Sequence, residues 1–120
     1  MPSIQIMMSA GCPEENIEQL MRAMPDVVCS TLENTFVRMV RVSVNETKPE
    51  YIRQGMEIPS ACAPTVSFYL GPGRSEEAIR NCLTKMAQVF EDCGICPKEN
   101  VRIYVMTPQP KHFSIAGKIR

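Results

Sequence analysis

Pro2 is the residue whose position could most directly do chemistry, because it immediately follows Met1. Removal of the initiator methionine would leave a secondary amine at the start of the chain. An α-amino group has an ordinary pKa of about 7.7–8.0, a prolyl amine has a somewhat higher one, and burial and nearby cations lower both. Such an amine could act as a general base, while arginines beside it hold an anionic substrate. The alternative is a proline that merely starts a strand.

Cys93 and Cys96 form the other pattern with possible chemistry, a CxxC pair of the kind found in redox motifs and in half of a zinc site. The pair follows a predicted helix, and the helix dipole at that end raises a thiol pKa. No second Cys or His pair follows at zinc spacing. We therefore interpret the pair as structural. We expect the cysteines to be reduced thiols, and we expect the protein to need neither a metal nor a cofactor.

The elements that must position Pro2 follow from an internal repeat. Residues 2–21 align without a gap with residues 64–83. Each copy begins with a proline and an alternating strand, passes through a glycine, and places two glutamates where the first turn of a helix favours acidic side chains. Apolar residues then recur at helical spacing. A strand rich in β-branched residues follows in each copy, at residues 37–45 and 100–107.

The sequence therefore predicts a single α/β (α+β) domain over residues 1–120, made of two β-α-β repeats. The first repeat covers residues 2–56, a linker covers 57–63, and the second repeat covers 64–120. A strand-helix-strand unit of this length pairs its strands in parallel through a right-handed crossover. Two such units predict a four-stranded sheet with two helices on one face. Pro25 falls inside the first helix, where we expect a kink or a break.

Charge and hydropathy limit the choice of partners. The 13 basic and 13 acidic side chains cancel, so no global field attracts nucleic acid or an anionic membrane, and we expect neither as a partner. The start of the chain lacks the basic and long apolar stretches of a signal peptide, and we expect a cytoplasmic location. The sheet face without helices should be apolar, with residues such as Ile6 or Tyr69, and covering it requires a homo-oligomer.

The second repeat resembles a whole 4-oxalocrotonate tautomerase subunit. The resemblance rests on three segments, GRSEE at 73–77, NVR at 100–102 and HF at 112–113. The first repeat is similar but more divergent, so the chain as a whole resembles the fused members of the tautomerase superfamily. Three chains would supply the six β-α-β units of the hexameric single-unit relatives. The resemblance therefore implies a tautomerase-like fold and a trimer.

The same resemblance implies roles for individual residues. Pro2 would be the catalytic base. Arg74 would bind the substrate together with one strand arginine from an adjacent chain, which is either Arg41 or Arg102. Phe113 would form a wall of the pocket and lower the pKa of the amine. The implied function is a cofactor-independent tautomerase, a keto-enol isomerase, that acts on small anionic 2-hydroxydienoates or 2-oxo acids.

Several positions depart from the tautomerase pattern or from that of the dehalogenase relatives. The nitrogen of Pro64 is part of a peptide bond, and Cys12 replaces the arginine of the first repeat, so we expect one active site per chain. Gly71 replaces a bulky pocket residue. Ile115 stands where dehalogenase relatives have a water-activating glutamate, which argues against a dehalogenase. The alternatives to a tautomerase are a promiscuous hydratase, dehalogenase or decarboxylase on the same scaffold, or a non-catalytic protein that keeps the fold.

Overall fold

The computed structural model describes residues 2–120. Two units, each with the element order strand-helix-strand, follow one another along the chain, which confirms the tandem β-α-β pattern. Acidic pairs occupy the first turn of both helices, where the helix dipole favours them. The first unit comprises β1 (Ser3–Ser9), α1 (Glu14–Thr31) and β2 (Arg41–Thr47), and the second comprises β3 (Thr65–Tyr69), α2 (Glu76–Asp92) and β4 (Arg102–Met106).

The four long strands form one mixed sheet in the order β2-β1-β3-β4. The strands of each unit pair in parallel, while β1 and β3 pair antiparallel at the centre. The backbone amide of Arg41 donates to the carbonyl of Pro2 at 3.1 Å, and the amide of Arg102 donates to the carbonyl of Pro64 at 3.0 Å. Because the central pair is antiparallel, these two similar corners lie at opposite ends of the sheet.

One face of the sheet packs against both helices and forms the core. The strands present alternate apolar residues to this face, as the period of two predicts. The helices present residues at spacings of three and four. The fully buried members are Ile4, Ile6, Met8, Val66 and Phe68 from the strands, and Leu20, Met24, Val28, Cys82, Met86 and Phe90 from the helices.

The opposite face of the sheet differs from our expectation. Ile6 is 0% exposed and lies in the core, so its prediction as a residue of the open face was wrong. The reason is the strand period, which puts Ile6 on the same side as Ile4. The open face is mixed, because Gln5 pairs with Ser43 and Ser67 in its central row. Apolar and aromatic side chains flank this polar row, as described below for the assembly.

The helix α1 is not broken at Pro25, contrary to one of the two outcomes that we expected there. It continues to Thr31 with Pro25 inside it. The missing N–H of the proline removes one helical hydrogen bond. The following turn remains helical because Val28 is buried in the core and its carbonyl accepts from the amide of Leu32 at 3.0 Å. Packing of an apolar face therefore outweighs the local cost of the proline.

Two local elements replace predicted strand or loop. Residues 37–39, predicted as the start of a strand, form a short 3₁₀ helix (Val37–Met39) ahead of β2. At the end of the chain, β5 (Ser114–Ile115) pairs antiparallel with β6 (Lys118–Ile119). Ala116 and Gly117 connect them with φ values of 55° and 79°, which is the geometry of a type I′ hairpin turn. This hairpin fixes the position of the preceding aromatic residue, Phe113.

Candidate active site

A cavity of about 460 Å³ surrounds the beginning of β1. Pro2, which is buried, and Arg41 form part of its wall, together with Phe113. Met39 and Ile115 add apolar surface, and the hydroxyl-bearing Ser3 and Ser114 and the small Ala116 complete the lining. No carboxylate lines this cavity in the part of the chain that the structure describes. Among the described residues that line it, the single charged side chain is the guanidinium of Arg41, so the cavity suits a small anion.

Three separate segments bring these residues together. Pro2 precedes β1, and Arg41 begins β2 next to it, since Ser3 and Arg41 are register partners in the parallel pair. Phe113 arrives from the far end of the chain, where its carbonyl accepts from the backbone amide of Arg120 at 3.0 Å and closes the hairpin. The arrangement provides a chain start, a cation and an aromatic wall within one cavity.

Arg74 does not line the Pro2 cavity within the chain. Its guanidinium donates from Nη1 to the carbonyl of Glu33 and from Nη2 to Oγ1 of Thr35, the latter at 3.2 Å. Thr35 is a polar residue with only 9% exposure. Arg74 thus ties the start of α2 to the loop between α1 and the Val37–Met39 turn. It lines a different cavity, of about 530 Å³, with Asn34 and Pro72 among its neighbours.

Arg102 lies at the other end of the sheet, beside Pro64. It lines a smaller cavity of about 270 Å³ with Asn100 and residues of the linker, such as Pro59. The sequence left open whether Arg41 or Arg102 contributes to the site. Within one chain, only Arg41 shares a cavity with Pro2. Three of the residues that line the Pro2 cavity were not predicted from the sequence: Met39, Ser114 and Ala116. Met39 lies two residues before Arg41 in the sequence, and this spacing could have indicated that it contributes to the site.

The cysteines lie away from the Pro2 cavity and are free thiols. Burial raises the pKa of Cys96 to about 12, and the neighbouring Cys62 and Cys12 add to this effect. Burial also raises the pKa of Cys62 to about 11, although the backbone of Ser9 acts in the opposite direction. Cys93 too has a raised pKa, mainly through burial. Among residues 2–120, no group of three or more Cys, His, Asp or Glu side chains is arranged to hold a metal ion.

Stability should fall at alkaline pH because of these thiols. A thiol that ionises near its ordinary pKa of 9.0 when unfolded, but near 12 when folded, stabilises the fold fully below pH 9. This contribution is lost as the pH rises from about 9 towards 12, since the unfolded chain then binds fewer protons than the folded one. Urea midpoints in a reducing buffer at pH 8 and pH 10.5 should show the decline.

Cys96→Ala measures the share of this decline that the Cys96 thiol causes, beside that of Cys62. The variant should be less stable at pH 8 but lose less stability between the two pH values than the unmodified chain does. Cys29→Ala, at a half-buried position on α1, should leave most of the pH dependence in place. A decline of equal size in Cys96→Ala and in the unmodified chain would show that other groups cause it.

Arg74→Ala should lower the free energy of unfolding by about 1–2 kcal/mol, because it removes two charge-assisted hydrogen bonds to the Glu33–Thr35 loop. Arg80→Ala, on the exposed side of α2, is the matched control and should change the free energy by less than about 0.5 kcal/mol. Urea unfolding measures both values. An unchanged stability in Arg74→Ala would show that these hydrogen bonds do not persist in solution.

Comparison with solved structures reveals the same fold over nearly the whole chain. The wild-type F6 fused 4-OT, an asymmetric trimer, has a TM-score of 0.89 at 15% sequence identity, covering 98% of this chain and 94% of that chain. Pt0534 inactivated by 2-oxo-3-pentynoate has a TM-score of 0.82 at 19% identity, with coverages of 98% and 94%. MIF2 of Leishmania major has a TM-score of 0.79 at 16% identity, with coverages of 100% and 97%.

These similarities establish that the chain has the fold of the fused 4-OT proteins, the fold of the tautomerase superfamily. At identities of 15–19% they concern the fold, and activity is a separate question. No protein-family model and no curated protein matches the sequence. No helix among residues 2–120 is both long enough and apolar enough to cross a membrane.

Proposed function

We propose that the protein is a cofactor-independent tautomerase of small 2-hydroxydienoates or 2-oxo acids, with Pro2 as its general base. The observation that carries the proposal is the shared cavity of Pro2, Arg41 and Phe113. The proposal requires that Met1, which lies outside the described residues, be removed so that the nitrogen of Pro2 becomes an amine. The tautomerase fold supports the same class of activity.

In the proposed reaction, Arg41 holds the carboxylate of the substrate and Pro2 removes the proton from its 2-hydroxyl group. The oxygen lone pair forms the carbonyl, the conjugated double bonds shift, and the prolinium proton is returned to a distant carbon. Arg41 also stabilises the charge that develops on the oxygen. Phe113 excludes water from the amine, which together with the cation lowers the pKa of the amine towards neutrality.

The lining of the cavity favours isomerisation over the addition of water. A hydratase or dehalogenase needs a group that activates water, and the position predicted for that group in the dehalogenases holds Ile115, which is an apolar wall residue here. The predicted substrate-binding roles of Arg74 and Arg102 require that an adjacent chain bring them to a Pro2 cavity. The free cysteines support a reducing, cytoplasmic location.

The proposal is tested on the mature N-terminus and on a panel of substrates. Mass spectrometry should show a chain that lacks Met1, and ultraviolet absorbance should show the conversion of at least one dienol or 2-oxo acid. The reagent 2-oxo-3-pentynoate provides a direct label, since a secondary amine adds to its activated triple bond and the adduct should map to Pro2. A free Pro2 without activity or labelling would favour the non-catalytic alternative. A retained Met1 would exclude the mechanism.

The proposed assembly is a trimer of this chain. The open face of the sheet exposes Met7, Tyr104 and Met106 to 48%, 55% and 43%, and a sheet with one such face is usually covered. The F6 fused 4-OT of the same fold is a trimer. Sedimentation at micromolar concentration should therefore give three times the chain mass of 13.5 kDa. A monomer under these conditions would contradict the proposal.

A further inference from the structure

Three of the six cysteines meet at the end of the sheet that carries Pro64, opposite the end that carries Pro2. They come from three separate segments: Cys12 from the turn after β1, Cys62 from the linker, and Cys96 from the loop after α2. We refer to these three residues as the thiol cluster. The reaction proposed for the Pro2 cavity uses none of them.

Contacts away from the sulfur atoms hold the same three segments together. The side chain of Asn100 donates from Nδ2 to the carbonyl of Cys62 at 3.4 Å, which ties the linker to the chain beyond α2. Gly94 packs so closely against α1 that a Cβ added to it would lie 3.2 Å from Nδ2 of Asn16. The segment after α2 therefore lies against both the linker and the start of α1, which begins shortly after Cys12.

Within the thiol cluster, Cys12 and Cys62 are the pair in direct contact. The Cys62 thiol is in hydrogen-bonding contact with the side chain of Cys12 and with the backbone of Ser9. Both cysteines are half-buried, whereas Cys96 belongs to the core with 8% exposure. A small oxidant in solution therefore reaches the first two thiols more readily than the third.

The proton of this pair is held by Cys62. Burial raises the pKa of Cys62 to about 11, and the contact with Cys12 acts in the same direction. A protonated thiol is a poor nucleophile, so the sulfur of Cys12 is the one that reacts first with an oxidant. Cys62 lies beside it, in the position of a resolving cysteine.

We propose that Cys12 and Cys62 form a reversible disulfide, with a peroxide as the oxidant and a small thiol as the reductant. The Cys12 thiolate attacks one oxygen of hydrogen peroxide, the O–O bond breaks, and the released hydroxide takes up a proton to become water. The sulfur of Cys62 then attacks the sulfur of the Cys12 sulfenic acid. The S–O bond breaks, and the departing hydroxide leaves as a second water with the proton of Cys62. The two sulfurs lose two electrons and the peroxide gains them.

The disulfide fastens the linker to the turn after β1. Between β2 and β3, the described chain has only the short 3₁₀ helix Pro49–Tyr51 and an isolated bridge between Gln54 and Glu57. The bond closes a loop that contains α1 and β2, which restricts the unfolded chain. It does not require Pro2 to be a free amine, so this proposal is independent of the proposed tautomerase activity.

The test oxidises the reduced, full-length chain with hydrogen peroxide, blocks the remaining thiols by alkylation, and maps the tryptic peptides by mass spectrometry. Cys12 is the single cysteine of the peptide that ends at Arg22, and Cys62 is the single cysteine of residues 54–74. We expect these two peptides as one crosslinked species that dithiothreitol separates. A denaturing gel without reductant should show single chains.

Three results of this peptide map would overturn the proposal. The first is alkylation of both Cys12 and Cys62 after oxidation. The second is a crosslink that contains residues 86–98, because Cys96 or Cys93 would then be a member of the disulfide. The third is a crosslink between two chains.

Cys62→Ser and Cys29→Ser are a matched pair of variants. Cys29 is also half-buried, but it lies on α1 beside Asp26 and not beside a thiol. Cys29→Ser should leave the yield of the crosslink unchanged. Cys62→Ser should abolish it and leave Cys12 as a sulfenic acid, which dimedone traps. An absence of trapped sulfenic acid on Cys12 would overturn its assignment as the residue that is oxidised first.

Urea unfolding measures the effect of the disulfide on the fold. Oxidation should raise the urea midpoint of the unmodified chain and of Cys29→Ser, and dithiothreitol should reverse the shift. The midpoint of Cys62→Ser should not rise on oxidation. Equal midpoints of the reduced chain and the crosslinked chain would overturn the role of the disulfide as a tether.

Discussion

Pro2→Ala is expected to lower kcat of the proposed tautomerase reaction by roughly 10²-fold or more. The variant replaces a secondary amine with a primary amine, which is a weaker base and lacks the ring that fixes its position in the cavity with Arg41 and Phe113. Steady-state kinetics on whichever substrate of the panel turns over best would measure the loss, after mass spectrometry has verified the N-terminus of both proteins.

Pro64→Ala is the matched control for this prediction. Pro64 occupies the corresponding place at the other end of the sheet, where its carbonyl accepts from the amide of Arg102. Its nitrogen is part of a peptide bond and cannot accept a proton. The variant should therefore keep kcat and KM nearly unchanged, as should Cys12→Ala. Equal losses in Pro64→Ala and Pro2→Ala would show that some other group is the base.

Arg41→Ala should have the second-largest effect, an increase in KM of about ten-fold or more. Loss of the guanidinium removes a carboxylate contact that exists in both the ground state and the transition state. A smaller decrease in kcat should accompany it, because the same group stabilises the charge that develops on the substrate oxygen. The measurement is a full saturation curve with a 2-oxo acid or dienol substrate.

Arg102→Ala is the matched control, because Arg102 and Arg41 occupy equivalent positions in the two repeats. Each begins a strand and donates its backbone amide to the carbonyl of a proline. If the cavity of one chain binds the carboxylate, Arg102→Ala should leave KM nearly unchanged. An increase in KM with Arg102→Ala alone would show instead that an adjacent chain supplies the arginine. In that case the role that we propose for Arg41 would be wrong.

The layered fold could be predicted because its signals are local. A period of two in Ile4, Ile6 and Met8 determines which side of β1 is buried, and spacings of three and four do the same for the helices. The repeat then implies that both units share one plan. The error at the open face arose from placing Ile6 there against this period, and not from a conflict between the period and the structure.

The features that sequence reasoning missed depend on backbone geometry or on long-range pairing. The antiparallel pairing of β1 with β3 joins strands from different repeats, and no local pattern indicates how two repeats meet. The terminal hairpin needs a left-handed backbone at Ala116. Unlike asparagine or glycine, an alanine in a sequence does not indicate such a turn. Pro25 suggested a break that tertiary packing prevents.

For the candidate site as well, the sequence indicated the residue types but not their hydrogen-bond geometry. The residue types predicted for it are present, and three of the predicted residues, Pro2, Arg41 and Phe113, share a cavity. The hydrogen bonds of Arg74 could not be anticipated, because Glu33 contributes only its backbone carbonyl and any residue type could do so. The predicted roles of Arg74 and Arg102 stay predictions, and the kinetic and stability measurements on their variants decide them.

The near-symmetry of the sheet about its central antiparallel pair has a consequence for how such a chain can evolve. A duplicated unit offers two equivalent corners, but a polypeptide has only one amino terminus. Any chemistry that uses the terminal amine is therefore confined to the corner of Pro2, while the corner of Pro64 is released from that constraint. Substitutions such as Cys12 can accumulate without a catalytic penalty. The corner of Pro64, to which both halves of the chain contribute, is then free to change, while the corner of Pro2 keeps the residues that the proposed reaction needs.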